Sequence, residues 1–285
     1  MWTRRVRHGI GAVLSAIIVA SAGCAPAPLT VEGNQAAASK EAVADDSLVQ
    51  YSLITALAAG DYADGVSLRD MLADGDFGIG TFDQLEGELI LLEGKVFQAL
   101  ADGTVKEPDP NRSTPFAAVT YFQEDGRMDD LSVATLQHLD ELLDDRLPRR
   151  NSPYAVRIDA MFDQLTLRSV PAQSEPFPPL VEVVKTQAVW EKKSVRGTMI
   201  GFRCPTWVGT LNVPGYHWHF LSDDRKSGGH VLGCQFQKAT LTYDECESLL
   251  IRIPESKRFD AFNAAEIKKT DIDVIERQRA EEGKK

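Results

Sequence analysis

The chain has 285 residues, 43% hydrophobic and 26% charged, enough to bury a sizeable core as one large domain or two ordinary ones. Its 31 basic against 42 acidic residues give a net charge of −11, and the first 24 residues carry Arg4, Arg5 and Arg7 without an acid, so the remainder is more acidic still. That balance offers no basic face to a nucleic-acid backbone or to anionic lipid, and no low-complexity, collagen-like or coiled-coil repeat is present.

The three arginines precede an apolar run from Ile10 to Ala22 that ends in Ser21-Ala22-Gly23-Cys24. This is the order of a bacterial export signal, and a run of about 13 residues is too short to span a hydrocarbon core of about 30 Å. Cys24 after Ala22-Gly23 resembles a lipobox, with Ser21 where an aliphatic residue is usual. The expectation is a signal peptide over 1–24, a lipid on Cys24 and an envelope location. Ala22 or Ala27 is the alternative cut of an ordinary signal peptide. Residues 25–47, rich in Ala, Pro and polar types without periodicity, read as a flexible tether. Cys204, Cys234 and Cys246 then remain, an odd number that allows one disulfide and one free thiol after export. No CxxC spacing supports zinc or redox chemistry on cysteine.

The globular part begins at Leu48. Gln50 to Ala59 reads as a strand or short helix, Ser67 to Ala73 as a helix, and Gly75 to Phe82 (GDFGIGTF) as a glycine-rich loop without the spacing of a dinucleotide site. Strands are expected at Glu86 to Leu92, Lys95 to Leu100 and Phe116 to Phe122. Leu131 to Leu147 has helical spacing of its leucines, and Tyr154 to Leu167 alternates as a strand pair or a long strand. The Pro-rich Val170 to Pro179 is the internal boundary, giving domains 48–175 and 176–285. Beyond it, Gly197 to Phe202, Val208 to Ser222 and His230 to Tyr243 read as antiparallel strands. Asp244 to Leu250 and Asp271 to Glu281 read as helices. The fold class is α+β, a two-domain α/β arrangement of mixed β-sheets with flanking helices.

Three of the five histidines fall within 14 residues: His217, His219 and His230. On a strand His217 and His219 point to one face, roughly 7 Å apart. The segment Asp223 to Gly229 is turn-rich, and a turn centred between Asp224 and Arg225 sets His230 opposite His219. Three neutral imidazoles with a fourth position open is the donor set of a catalytic zinc, placed here on a β-hairpin of the C-terminal domain; the alternative is an H-x-H on a solvated strand face with an unrelated His230.

Residues 211–232 (LNVPGYHWHFLSDDRKSGGHVL) closely resemble the signature of the α-acetolactate decarboxylase family. The segments at 75–82, Leu85 to Ile90 (LEGELI), Thr114 to Thr120 and Tyr154 to Asp159 agree in order. The resemblance runs from about Leu48 to the C-terminus. It implies zinc on His217, His219 and His230, site carboxylates at Glu88 and Glu276, a site arginine at Arg168, and a homodimer whose C-terminal tail returns to the site. It implies decarboxylation of 2-acetolactate, a small anionic 2-hydroxy-3-keto acid, to acetoin, with zinc as Lewis-acid electron sink for the enediolate. Glu86 replaces a usual Asp, and Trp218 replaces a common Leu, a change expected to alter packing beside the metal. Without the resemblance, Glu88, Arg168 and Glu276 read as ordinary strand, strand-end and helix-surface groups.

Two other readings stay open on the residues. A cupin-like metal dioxygenase or isomerase also uses H-x-H, but wants a glutamate three or four residues on, where this chain has Asp223 and Asp224 in the turn. A non-enzymatic zinc-binding envelope lipoprotein would have a His-rich loop or a closed ligand set.

Overall fold

A computed structural model of the chain describes residues 46–277. The expected signal peptide, Cys24 and the tether up to residue 45 lie outside the described residues. In chain order the first half contains β1 (Ser47–Tyr51), α1 (Ile54–Ala58), β2 (Val66–Ser67), α2 (Leu68–Leu72), β3 (Phe77–Thr81), β4 (Glu88–Leu92), β5 (Lys95–Ala99), β6 (Val105–Lys106), β7 (Ser113–Thr114), β8 (Ala117–Thr120) and β9 (Gly126–Val133). The second half contains α3 (Leu136–Arg146), β10 (Tyr154–Ser169), α4 (Leu180–Val183), β11 (Ala188–Cys204), β12 (Gly215–Ser222), β13 (Gly228–Glu245), β14 (Ser248–Arg252), α5 (Lys257–Ala261) and α6 (Lys269–Arg277).

Two large sheets carry the fold. A seven-stranded sheet has the order β14-β1-β8-β3-β4-β5-β6, antiparallel except for the parallel pair β1–β14. A five-stranded sheet has the order β10-β11-β12-β13-β9, and β10 also pairs with β13, so β10 to β13 close into a ring. This mixed-sheet α+β architecture agrees with the expected fold class.

The period-2 rule decides what each strand buries. On β4, Ile90 and Leu92 join Ile200, Phe202 and Leu221 in the core between the sheets, while Leu89 and Leu91 pack with Leu68 and Met71 of α2 on the opposite face. On β12, Trp218 and Phe220 enter the core of the ring with Phe162 and Phe236, whereas Leu221 faces the seven-stranded sheet. The expected change beside the metal at Trp218 is therefore corrected. Its side chain stacks on Tyr216 at 5.7 Å and donates to Asp140 at 3.3 Å, on the face away from the histidines.

Several expectations change for physical reasons. Gly75 to Phe82 is not a loop: Phe77–Thr81 is a central, fully buried strand. Its glycines answer to crowding, since a Cβ on Gly80 would lie 2.3 Å from the Phe116 carbonyl oxygen and one on Gly78 would lie 2.5 Å from that of Ala118. The helix expected from Leu131 starts only at Leu136, capped by Thr135, because 131–133 pair in β9. Asp244 to Leu250 is not helical; it ends β13 and enters β14, whose partner β1 lies some 200 residues away in sequence. The boundary at 175/176 falls in the connection between β10 and β11, which pair from Tyr154↔Arg203 to Ser169↔Ala188. Its prolines break regular structure in that connection, and the seven-stranded sheet draws its strands from both sides of it, β1, β3 to β6 and β8 before and β14 after. Cys204, Cys234 and Cys246 are all buried free thiols, without a disulfide among them.

Candidate active site

The site lies where β12, β13 and β10 meet β4, and sheet register builds most of it. His217 and His219 share the parity of Leu221 and so face the seven-stranded sheet. The hairpin pairs His219 with His230, as its expected turn requires. β13 in turn pairs His230 with Arg168 of β10, so His219, His230 and Arg168 form one row across three adjacent strands. Directly paired residues point to the same side of a sheet. From across the interface, Glu88 has the parity of Ile90 and Leu92, which turns its carboxylate toward the histidines. A slip of one residue in any of these strands would send its group to the wrong face.

The remaining carboxylate comes from the C-terminal helix. Ile272, Ile275 and Glu276 of α6 are buried at i, i+3 and i+4, the spacing of one helix face. The two isoleucines pack among Ile54, Leu57, Leu180 and Val183, and this anchors Glu276 over the histidines. One pocket is lined by Glu88, Arg168, His217, His230 and Glu276 together with apolar walls from Ile54, Leu57, Leu85 and Phe116. Every expected site residue is thus brought to one place, and His219 is the most deeply buried of them, at 0% exposure.

Hydrogen bonds fix which nitrogens face inward. Nδ1 of His219 lies 2.9 Å from the Leu89 carbonyl oxygen and Nε2 of His230 lies 3.0 Å from that of Glu276. A carbonyl only accepts, so those two nitrogens carry the protons and the other nitrogen of each ring presents a lone pair. Nδ1 of His230 sits 3.2 Å from Nε2 of His217, and Nε2 of His219 is buried without a hydrogen-bond partner. Glu276 Oε2 lies 3.5 Å from His217 Nε2 and 3.9 Å from His230 Nδ1, and Glu88 Oε2 lies 3.5 Å from His219 Nε2. Ligands about 2.1 Å from a tetrahedral ion stand roughly 3.4 Å apart, close to the 3.2 Å between the His217 and His230 nitrogens. One donor nitrogen from each of the three imidazoles lies within 4.8 Å of the others, and the orphaned His219 nitrogen is the atom a metal satisfies. The residues fit a divalent metal.

The electrostatics agree. Burial, with Arg168 adding to it, lowers His217 to about 3; burial first holds His219 and His230 well below the ordinary histidine range. All three rings are neutral at neutral pH and free to donate lone pairs. Burial pushes the Glu88 carboxyl up to about 7, against Arg168 and with Glu276. The cupin-like reading loses its glutamate here: Asp223 and Asp224 are exposed in the turn, and Asp224 is used by the Ser222 hydroxyl at 2.7 Å. Sequence reasoning missed two groups. The Leu89 carbonyl has no side-chain signal, and Gln187, which accepts from Arg168 Nη1 at 3.2 Å, lies in an irregular turn.

A family profile described as alpha-acetolactate decarboxylase matches residues 48–267. The chain belongs to the α-acetolactate decarboxylase family. It is accordingly an enzyme of the carboxy-lyase class. The alpha-acetolactate decarboxylase of Methanosarcina mazei is 39% identical over 234 residues, covering 82% of this chain and 81% of that protein. That of Brevibacillus brevis is 33% identical over 260 residues, 91% of each. The crystal structure of the Bacillus subtilis strain 168 enzyme superposes with a TM-score of 0.79 at 34% identity, covering 81% of this chain and all of that one.

Proposed function

We propose that the chain decarboxylates 2-acetolactate to acetoin and CO2 with a zinc ion held by His217, His219 and His230. The observation that carries this reading is a cluster of three imidazole nitrogens beside a pocket lined by two buried carboxyls and one buried guanidinium. Bound there, a dication supplies Lewis-acid stabilisation for the electron pair released as the carboxylate departs.

The chain's own groups do the rest. Arg168, 5% exposed, orients the substrate carboxylate with its planar fork before the carbon–carbon bond breaks. That bond's electrons stay on the substrate, CO2 leaves neutral, and one proton must be added to the carbon it left. Glu88 and Glu276 are carboxyls that line this pocket, and whichever delivers the proton sets the configuration of acetoin. The aliphatic wall of Ile54, Leu57 and Leu85 receives the two methyl groups and excludes water. Acetoin release from racemic 2-acetolactate, with and without chelator and after adding back zinc, tests the proposal. Release that survives complete metal removal counts against the zinc; no release by the zinc-loaded protein counts against the reaction.

The order of Arg4, Arg5, Arg7, the apolar run and Ala22-Gly23-Cys24 supports export with a lipid on Cys24. Radiolabelled palmitate carried by the full chain and absent from Cys24→Ser is the expected result. The resemblance to the family supports a homodimer, which sedimentation equilibrium tests.

A further inference from the structure

A buried guanidinium can meet a carboxylate in two ways: end-on through its two Nη groups, or side-on through Nε and Nη2. Which edge is available depends on what else holds the group. In this chain Nη1 of Arg168 donates to Oε1 of Gln187 at 3.2 Å, which holds the Nη1 end of the group. On the other edge, Nε is buried without a hydrogen-bond acceptor among the described residues, and Nη2 lies 4.0 Å from Glu276 Oε2, beyond hydrogen-bond range. Buried donors of a charged group are rarely left unmade, so an orphaned Nε on the pocket wall marks a place for an acceptor.

Gln187 comes from the opposite side of the β10–β11 connection. It follows the 3-10 turn Val184–Thr186 and directly precedes Ala188, which pairs with Ser169, so the ladder fixes its place beside Arg168. Its carboxamide is also the right chemistry for a clamp. A neutral oxygen accepts from the cation without cancelling its charge, whereas a carboxylate there would form an ion pair and compete with any incoming anion.

We infer that Gln187 is a positioning residue that pins Nη1 of Arg168 and thereby presents the Nε–Nη2 edge, side-on, to the substrate carboxylate. The inference rests on the reading of Arg168 as the carboxylate-binding group. It adds a residue that nothing in the sequence motif marks, and it explains why a glutamine rather than an acid sits against this arginine.

The test uses the zinc-loaded full chain and 2-hydroxy-2-methylpropanoate, a carboxylate that keeps the hydroxyl but lacks the ketone and cannot decarboxylate. Its dissociation constant is measured by calorimetry for the wild type, Gln187→Met and Gln187→Glu, each alone and in an Arg168→Ala background. Gln187→Met keeps the shape and removes the acceptor. It should weaken binding about tenfold and raise KM for 2-acetolactate more than it lowers kcat. Gln187→Glu keeps the acceptor oxygen but adds a competing charge, and should weaken binding at least as much. In the Arg168→Ala background neither change should matter by more than twofold, the signature of action through Arg168 that a general packing role would not give. If Gln187→Met does not fold, Gln187→Asn, too short to reach Nη1, takes its place. Wild-type affinity in Gln187→Met, an equal loss in the Arg168→Ala background, or no binding of the probe by the wild type overturns the inference. A wild type that binds the probe through Arg168 and Gln187 yet releases no acetoin would overturn the proposed reaction and leave this inference standing.

Discussion

His230 donates its Nε2–H to the main-chain carbonyl of Glu276, 3.0 Å away, so the C-terminal helix decides which nitrogen of this histidine faces the site. Partners of this kind, one shell out from a metal, typically change metal affinity 10–100-fold. A chain ending before Lys269 should therefore bind zinc at least tenfold more weakly in chelator competition. Glu276→Ala removes the carboxylate and keeps the carbonyl, so the gap between the two variants measures the backbone contact. By linkage, zinc should slow proteolytic cleavage within α6. Equal affinity for truncated and full chains would show that the helix only shelters the site.

The three histidines are not equivalent in burial, but each supplies one donor, so replacing any one with Ala should remove most of the zinc and nearly all turnover. Elemental analysis after gel filtration checks the first and acetoin release the second, with circular dichroism as the control for folding. Full zinc in His230→Ala would remove the hairpin argument.

How far the sequence could be read follows from the range of the interactions involved. The histidine hairpin was legible because period-2 geometry and a turn-rich spacer act within 14 residues, and His219↔His230 is the pair they specify. Arg168 sits in the same row only because β10 pairs with β13 across 62 positions, and no local pattern carries that; family resemblance alone pointed to it. Phe77–Thr81 looked like a loop because glycine normally weakens strands, whereas here the neighbouring carbonyls leave no room for a side chain. Residues 244–250 looked helical for want of alternation, since the partner that makes β14 a strand is at the other end of the fold. Gln187 and the Leu89 carbonyl are tertiary contacts with no sequence signature of their own.

Arg168 provides a sharp substitution. Lysine keeps the charge but lacks the fork, so Arg168→Lys should fold and retain zinc while kcat/KM falls about 100-fold, about 2.7 kcal/mol of transition-state stabilisation. Wild-type kcat/KM in that variant would sink the carboxylate-orienting role.

Glu88→Gln and Glu276→Gln separate metal chemistry from proton delivery. Glu88→Gln should keep its zinc, because the inward nitrogen of His219 is set by Leu89 rather than by the carboxylate. At least one of the two variants should slow turnover or lower the enantiomeric purity of acetoin, read by chiral gas chromatography. Unchanged rate and chirality in both would mean that the proton comes from another source.

Asp244 gives a pH dependence of stability away from the site. It is 1% exposed and its Oδ2 accepts from the Gln123 amide at 3.2 Å. Burial first, then the neighbouring Asp125, Asp46 and Asp76, pushes its carboxyl from 3.8 up to about 7. Between those values the folded protein holds a proton that the unfolded chain has lost. The contribution to stability is therefore complete below the unfolded pKa and is lost as pH rises through the folded one. Asparagine keeps the acceptor for the Gln123 amide and never ionises. Relative to Asp244→Asn, the wild type should lose stability progressively from about pH 4 to about pH 8, and the variant should be the more stable of the two at the alkaline end. Urea unfolding of both proteins across that range checks it, with other titrating groups cancelling in the difference. Parallel profiles would mean that Asp244 is ionised throughout, held so by its hydrogen bond against burial and three neighbouring acids.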